Sequence, residues 1–93
     1  MEWYEKAAEL GSDYAMVSLG TCYLAGKGVP QNFEKAVEWY EKAAELGNNY
    51  AMFYLGMCYE GGIGVTQNNE KAMEWYEKAA ELGNADAMLQ LQN

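Results

Sequence analysis

Histidine is absent from this 93-residue chain, and aspartate occurs only as Asp13 and Asp86. The first absence removes the commonest general base and the commonest metal ligand together. Two aspartates far apart along the chain make no carboxylate pair. Neither an enzyme active site nor a metal or cofactor is expected. Basic residues are scarce as well, 6 against 14 acidic, for a net charge of −8. That charge repels phosphate backbones and anionic lipid, which argues against nucleic acid or a membrane as partner. No apolar run is long enough to span a bilayer, and the opening MEWYEKAAEL alternates charges where a signal peptide would be apolar. The sequence as it stands reads as cytoplasmic. Because it opens inside a repeat, it is also compatible with a longer parent chain carrying a leader.

Cysteine and proline are sparse too. Cys22 and Cys58 stand 36 residues apart at equivalent positions of successive units. Packed helices lie about 8 to 10 Å apart, whereas a disulfide needs Cα atoms within about 7 Å. The two cysteines are therefore expected to be unbridged, small and buried.

What fills the chain is one repeated unit. Residues 12–47 align without a gap on residues 48–83, with 25 of 36 positions identical. Parts of the unit occupy residues 1–11 and 84–93, and the string EWYEKAAELG starts at residues 2, 38 and 74. A repeat of this length is one supersecondary unit that cannot bury its apolar face alone, so neighbours stack and share a core. The whole chain, 1–93, is expected to form a single all-α solenoid domain.

Each unit carries helical apolar spacing twice. Ala15, Leu19, Cys22 and Tyr23 fall on one face of a first helix, A. Gly26 and Gly28 interrupt it, and Pro30 with Asn32 marks the start of a second helix, B. In helix B, Ala36, Val37, Tyr40, Ala43 and Ala44 share a face with Trp39 at its margin, and Glu34, Glu38, Glu41 and Glu45 share the other. Glu38 precedes Lys42 by four residues, a favourable helix pair. The spacing predicts helices over 2–10, 13–25, 33–46, 49–60, 69–82 and 85–92. Gly20 and Gly56 fall inside helix A, where glycine costs roughly 1 kcal/mol relative to alanine, so close packing should compensate. The helices of a pair are expected to cross there, with Trp39 and Tyr40 filling the space beside Gly20. The glycine-rich loops around Lys27 and Ile63 lack the Gly-Lys-Ser/Thr ending and the preceding strand of a phosphate-binding loop.

The set Ala15, Leu19-Gly20, Tyr23, Gly26, Gly28-Val29, Lys35-Ala36, Trp39-Tyr40, Lys42-Ala43-Ala44 and Gly47 resembles the Sel1-like repeat, a branch of the tetratricopeptide-like solenoids. The same set recurs from Ala51 to Gly83. The resemblance implies a right-handed superhelix of antiparallel helix pairs whose A helices line a concave surface. It also implies a non-catalytic interaction scaffold. Asn32 and Asn68 depart from the aspartate common before the Lys-Ala pair, and Gln92 stands where the units have glycine.

The eleven positions at which the two units differ lie mostly in helix A. Positions 13, 17, 21 and 24, with 18 adjacent, form a stripe that the resemblance places on the concave side, with Val17, Ser18, Thr21, Leu24, Phe53, Tyr54, Met57, Glu60, Leu89 and Gln90 as candidate partner-binding residues. Apolar and aromatic groups there point to a protein or peptide partner, a bound helix included. The alternative is a self-assembling or designed structural module, a homo-oligomer joined through its open terminal helices.

Overall fold

The computed structural model describes residues 2–92. They form α1 (Glu2–Glu9), α2 (Asp13–Ala25), α3 (Phe33–Glu45), α4 (Asn49–Gly61), α5 (Asn69–Glu81) and α6 (Ala85–Gln92). The odd-numbered helices are B helices and the even-numbered ones A helices. Each packs chiefly on its neighbours in sequence, most closely within the pairs α2/α3 and α4/α5. The result is an all-α helical repeat solenoid, 38 × 24 × 16 Å.

Side-chain caps fix where the helices begin. Ser12, Asn32, Asn48 and Asn68 each stand in extended backbone and accept a hydrogen bond from the backbone N–H three residues on. Gly26 and Gly62 end the A helices in left-handed conformation. Gln31 and Gln67 then tie each A-to-B loop back by donating from Nε2 to the carbonyls of Leu24 and Glu60.

The pair closes on glycine. A Cβ added at Gly20 would lie 2.7 Å from Cε1 of Tyr40, and one added at Gly56 would lie 2.5 Å from Cε1 of Tyr76. Each tyrosine ring thus lies directly on the backbone of helix A. Tyr40, Tyr76, Leu19 and Leu55 are the largest fully buried side chains, and each ring removes on the order of 200 Å² from water. Trp39 packs against the same core. It is half-buried at the helix margin with Lys42 Nζ 4.6 Å above its ring, so that lysine faces the indole instead of Glu38. The B helices also stop one residue short of Leu10, Leu46 and Leu82, which are exposed.

Two contacts set the register between units. The capping Asn48 also donates from Nδ2 to Asp13 Oδ2 at 3.0 Å, and Asn84 repeats this on Asn49 Oδ1 at 3.1 Å. One amide therefore starts its own helix and holds the first turn of the A helix before it. Both asparagines are buried, and no buried polar side-chain atom among the described residues lacks a partner. The second contact is at Gly64, whose φ is +72° and whose Cβ, if present, would lie 2.5 Å from the carbonyl oxygen of Phe33 in the preceding unit. The glycine loop is therefore a joint between units as well as a turn.

Alanine is the better helix former, yet Gly56→Ala should destabilise the chain, by about 1–3 kcal/mol, because the methyl group meets the Tyr76 ring. Denaturant unfolding measures this, and a neutral or stabilising result would show that the ring does not sit on Gly56.

Candidate partner-binding site

The A helices α2 and α4 each lie between two B helices, whereas α6 packs on α5 alone, and this decides how the variable stripe is exposed. Val17, Ser18, Leu24, Phe53 and Tyr54 are half-buried, and all but Ser18 pack against the core. Thr21, Met57, Glu60, Leu89 and Gln90 are exposed. The stripe is thus not a free face opposite the core. Phe53 packs on Tyr76, with ring centroids 5.8 Å apart, and Tyr54 on Tyr40 of the preceding pair, at 5.2 Å.

The tyrosine hydroxyls reach the same stripe. Tyr40 OH meets Thr21 Oγ1 at 3.0 Å, whereas Tyr76 OH donates to Glu60 Oε1 at 2.8 Å. Thr21 and Glu60 are not equivalent positions; they are one helical turn apart in the repeat. Where the first unit has Thr21 and Leu24, the second has Met57 and Glu60. Each hydroxyl finds whichever of the two positions is polar.

Burial shifts the titration of the groups beneath the stripe. It pushes the Tyr40 phenol from 10.0 up to about 12, with the Thr21 hydrogen bond opposing. Burial raises Tyr76 further, assisted by the Glu60 carboxylate, and pushes the Cys58 thiol from 9.0 up to about 11. Cys22, the equivalent thiol, is half-buried, and both cysteines are free.

Three of the stripe residues come together in one open groove. Val17, Ser18 and Thr21 line it with Tyr4, Cys22 and Lys27, around a volume of about 430 Å³. Tyr4 enters from α1 and Lys27 from the glycine loop. Neither was part of the variable stripe, although Tyr4 is the repeat equivalent of Tyr40 and Tyr76. Met57, Glu60, Leu89 and Gln90 lie outside the groove, further along the array.

The Sel1 repeat profile matches residues 1–12, 13–48 and 49–84. The chain belongs to the Sel1-repeat family. The family's frame starts one residue later than the units 12–47 and 48–83. Solved Sel1-like structures superpose closely. A Sel1 repeat protein from Oxalobacter formigenes is 45% identical with a TM-score of 0.94, over 98% of this chain and 68% of that one. The protective antigen c5321 of uropathogenic Escherichia coli, described as having an SLR fold, is 38% identical with a TM-score of 0.92 over 97% of this chain. Helicobacter pylori cysteine rich protein B is 36% identical with a TM-score of 0.89 over 94%. This chain spans 19% of the c5321 chain and 65% of the H. pylori chain. No curated protein sequence matches it.

Sel1-repeat proteins generally mediate protein–protein interaction and typically act as non-catalytic scaffolds. Among the described residues, no three His, Cys, Asp or Glu side chains converge as metal ligands, and no helix is long and apolar enough to cross a membrane.

Two outcomes follow from the buried groups. Iodoacetamide should modify Cys22 in the native protein and Cys58 only on unfolding, as mass spectrometry of timed samples will show; equal rates would contradict the burial of Cys58. Tyr40, Tyr76 and Cys58 keep protons that the unfolded chain releases, so unfolding at high pH releases protons and is favoured there. Their contribution is whole below about pH 9 and falls as pH rises through 9 to 12. Guanidinium midpoints against pH measure it, and a midpoint flat to pH 12 would contradict it.

Proposed function

We propose that this Sel1-repeat chain is a non-catalytic scaffold that binds a peptide or a partner helix along its A-helix face. The observation that carries this reading is the 430 Å³ groove at Val17, Ser18 and Thr21, lined by an aromatic ring and open to solvent. Met57 and Leu89 add apolar groups that are 43% and 59% exposed on later A helices. Groups of this kind are enriched in the cores of protein interfaces. The glutamates of the B helices are mostly exposed and keep their surface solvated. Protein is the partner class, with no role for nucleic acid or lipid at this charge.

A joint between copies is the second reading. It is favoured by Trp3 and Leu10 on the first helix and its end, 73% and 89% exposed, and by Met88 and Leu89 on α6. Gln92 opposes it. That residue occupies the position of Gly20 and Gly56, where even a Cβ comes within 2.7 Å of the facing tyrosine ring. An α6-to-α1 stack in the internal register would set Gln92 against Tyr4.

Peptides selected from a random display library against the whole chain test the first reading. The double variant Met57→Glu, Leu89→Asp should weaken them about tenfold or more while leaving the melting temperature within about 2 °C, since both side chains are substantially exposed. Phe53 and Tyr54 are unsuitable for this purpose, because they pack on core tyrosines. Peptides indifferent to this variant and to the groove residues would contradict the proposal.

A further inference from the structure

The solenoid repeats one ring site three times and fills it with a second ring once: Tyr54 stands beside Tyr40, whereas Ser18 and Gln90 take its position on the helices after Tyr4 and Tyr76. Between the two units, Tyr40 is fully buried, the ring of Tyr54 stands 5.2 Å from its own, and Cys58 is 2% exposed. Between α1 and α2 the identical residues are Tyr4 and Cys22, and both are half-buried. Ser18 holds the position of Tyr54, and Val17 that of Phe53. The groove of about 430 Å³ opens at that place, bounded by Tyr4, Val17, Ser18, Thr21, Cys22 and Lys27. Ser18 leaves open the place beside Tyr4 that Tyr54 takes beside Tyr40. A helix preceding α1 would offer Tyr4 the kind of contact that Gly20 offers Tyr40, whereas Tyr54 reaches Tyr40 from the helix that follows.

The filled site shows which chemistry suits the empty one. Its occupant is an aromatic ring tilted 31° to the tyrosine beneath it, a favourable arrangement for two ring quadrupoles. The groove also differs in charge. Lys27 is the one charged residue in its lining, and Ile63 takes that place in the second unit. A carboxylate beside the ring complements it.

On the footing that the A-helix face binds partners, we propose that the α1–α2 groove receives an aromatic side chain of a partner peptide, a tyrosine or phenylalanine flanked by a carboxylate. The incoming ring takes the place beside Tyr4 that Tyr54 takes beside Tyr40. Ser18 sets the vacancy and Lys27 the preference for charge. The partner therefore completes a packing motif that the protein completes for itself one unit later.

N-acetyl-tyrosine serves as the probe, titrated into the ¹⁵N-labelled full chain and followed by amide shifts. Shifts are expected at Tyr4, Val17 to Cys22 and Lys27. N-acetyl-leucine should bind at least about threefold more weakly if ring stacking contributes. N-acetyl-tyrosinamide, lacking the carboxylate, should bind up to about fivefold more weakly, a difference that Lys27→Ile removes. Ser18→Tyr should fill the groove from within, abolish uptake and raise the melting temperature. In case that variant fails to fold, Tyr54→Ser provides the converse, opening a second vacancy and doubling the equivalents of probe taken up. Uptake unchanged by both variants, equal binding of the leucine analogue, or no shifts in the groove would each overturn the proposal. Display-selected peptides still lost on Met57→Glu, Leu89→Asp in that event would leave the wider binding face standing.

Discussion

Everything in this solenoid is arranged around a tyrosine ring lying on a glycine. The contact fixes the separation of the two helices in a pair, because any side chain at Gly20 or Gly56 would meet the ring at about 2.5 to 2.7 Å. It fixes their register as well, since one position on helix B faces one position on helix A. The alanines beside the ring, Ala36, Ala43 and Ala44 in the first unit, are buried and small enough for the helices to stay that close. The roughly 1 kcal/mol that a mid-helix glycine costs is offset by the buried ring above it. The ring's hydroxyl then emerges at the A-helix surface, where Thr21 or Glu60 binds it. Core packing and the surface proposed for binding are therefore linked through one residue type.

Repetition makes the consequences of a single substitution visible within one molecule. Tyr4 and Tyr40 have the same sequence neighbours, as do Cys22 and Cys58 on one side, yet their burial differs. The buried tyrosines, Tyr40 and Tyr76, each lie on a glycine of the A helix before them and stay buried whether Tyr54 or Gln90 stands on the helix that follows. Stacking itself is held by elements that do not vary in this way. The asparagine amides bridge successive A helices, and Gly64 lets its loop reach the Phe33 carbonyl of the unit before. A framework pinned at those points tolerates large changes at positions 17, 18, 21 and 24 of the unit, and such tolerance suits a surface that specifies partners.

Much of this was legible in the sequence. The 36-residue period gave the repeat architecture, asparagine before each Lys-Ala pair gave the caps, and glycine inside helix A marked where the pair closes. What was not legible came from treating helix A as having one buried face. It lies between two B helices, so Met16 and Met52 are buried, Val17 packs against the core, and Phe53 and Tyr54 are half-buried on tyrosines of different units. Periodicity in a single helix cannot show a second neighbour. Tyr4 joins the groove because it repeats Tyr40, a signal present in the sequence but carried by the α1–α2 junction and not by the variable positions.

The account stands on the ring-over-glycine contact, and proton NMR reads that contact without altering the molecule. One Hα of Gly20 and one of Gly56 point to where a Cβ would meet the tyrosine, so both should be displaced strongly upfield by the ring current. Each should also show an intense nuclear Overhauser effect to the ring protons of Tyr40 or Tyr76. Glycine Hα resonances at ordinary positions, with no cross-peaks to those rings, would contradict the account at its base.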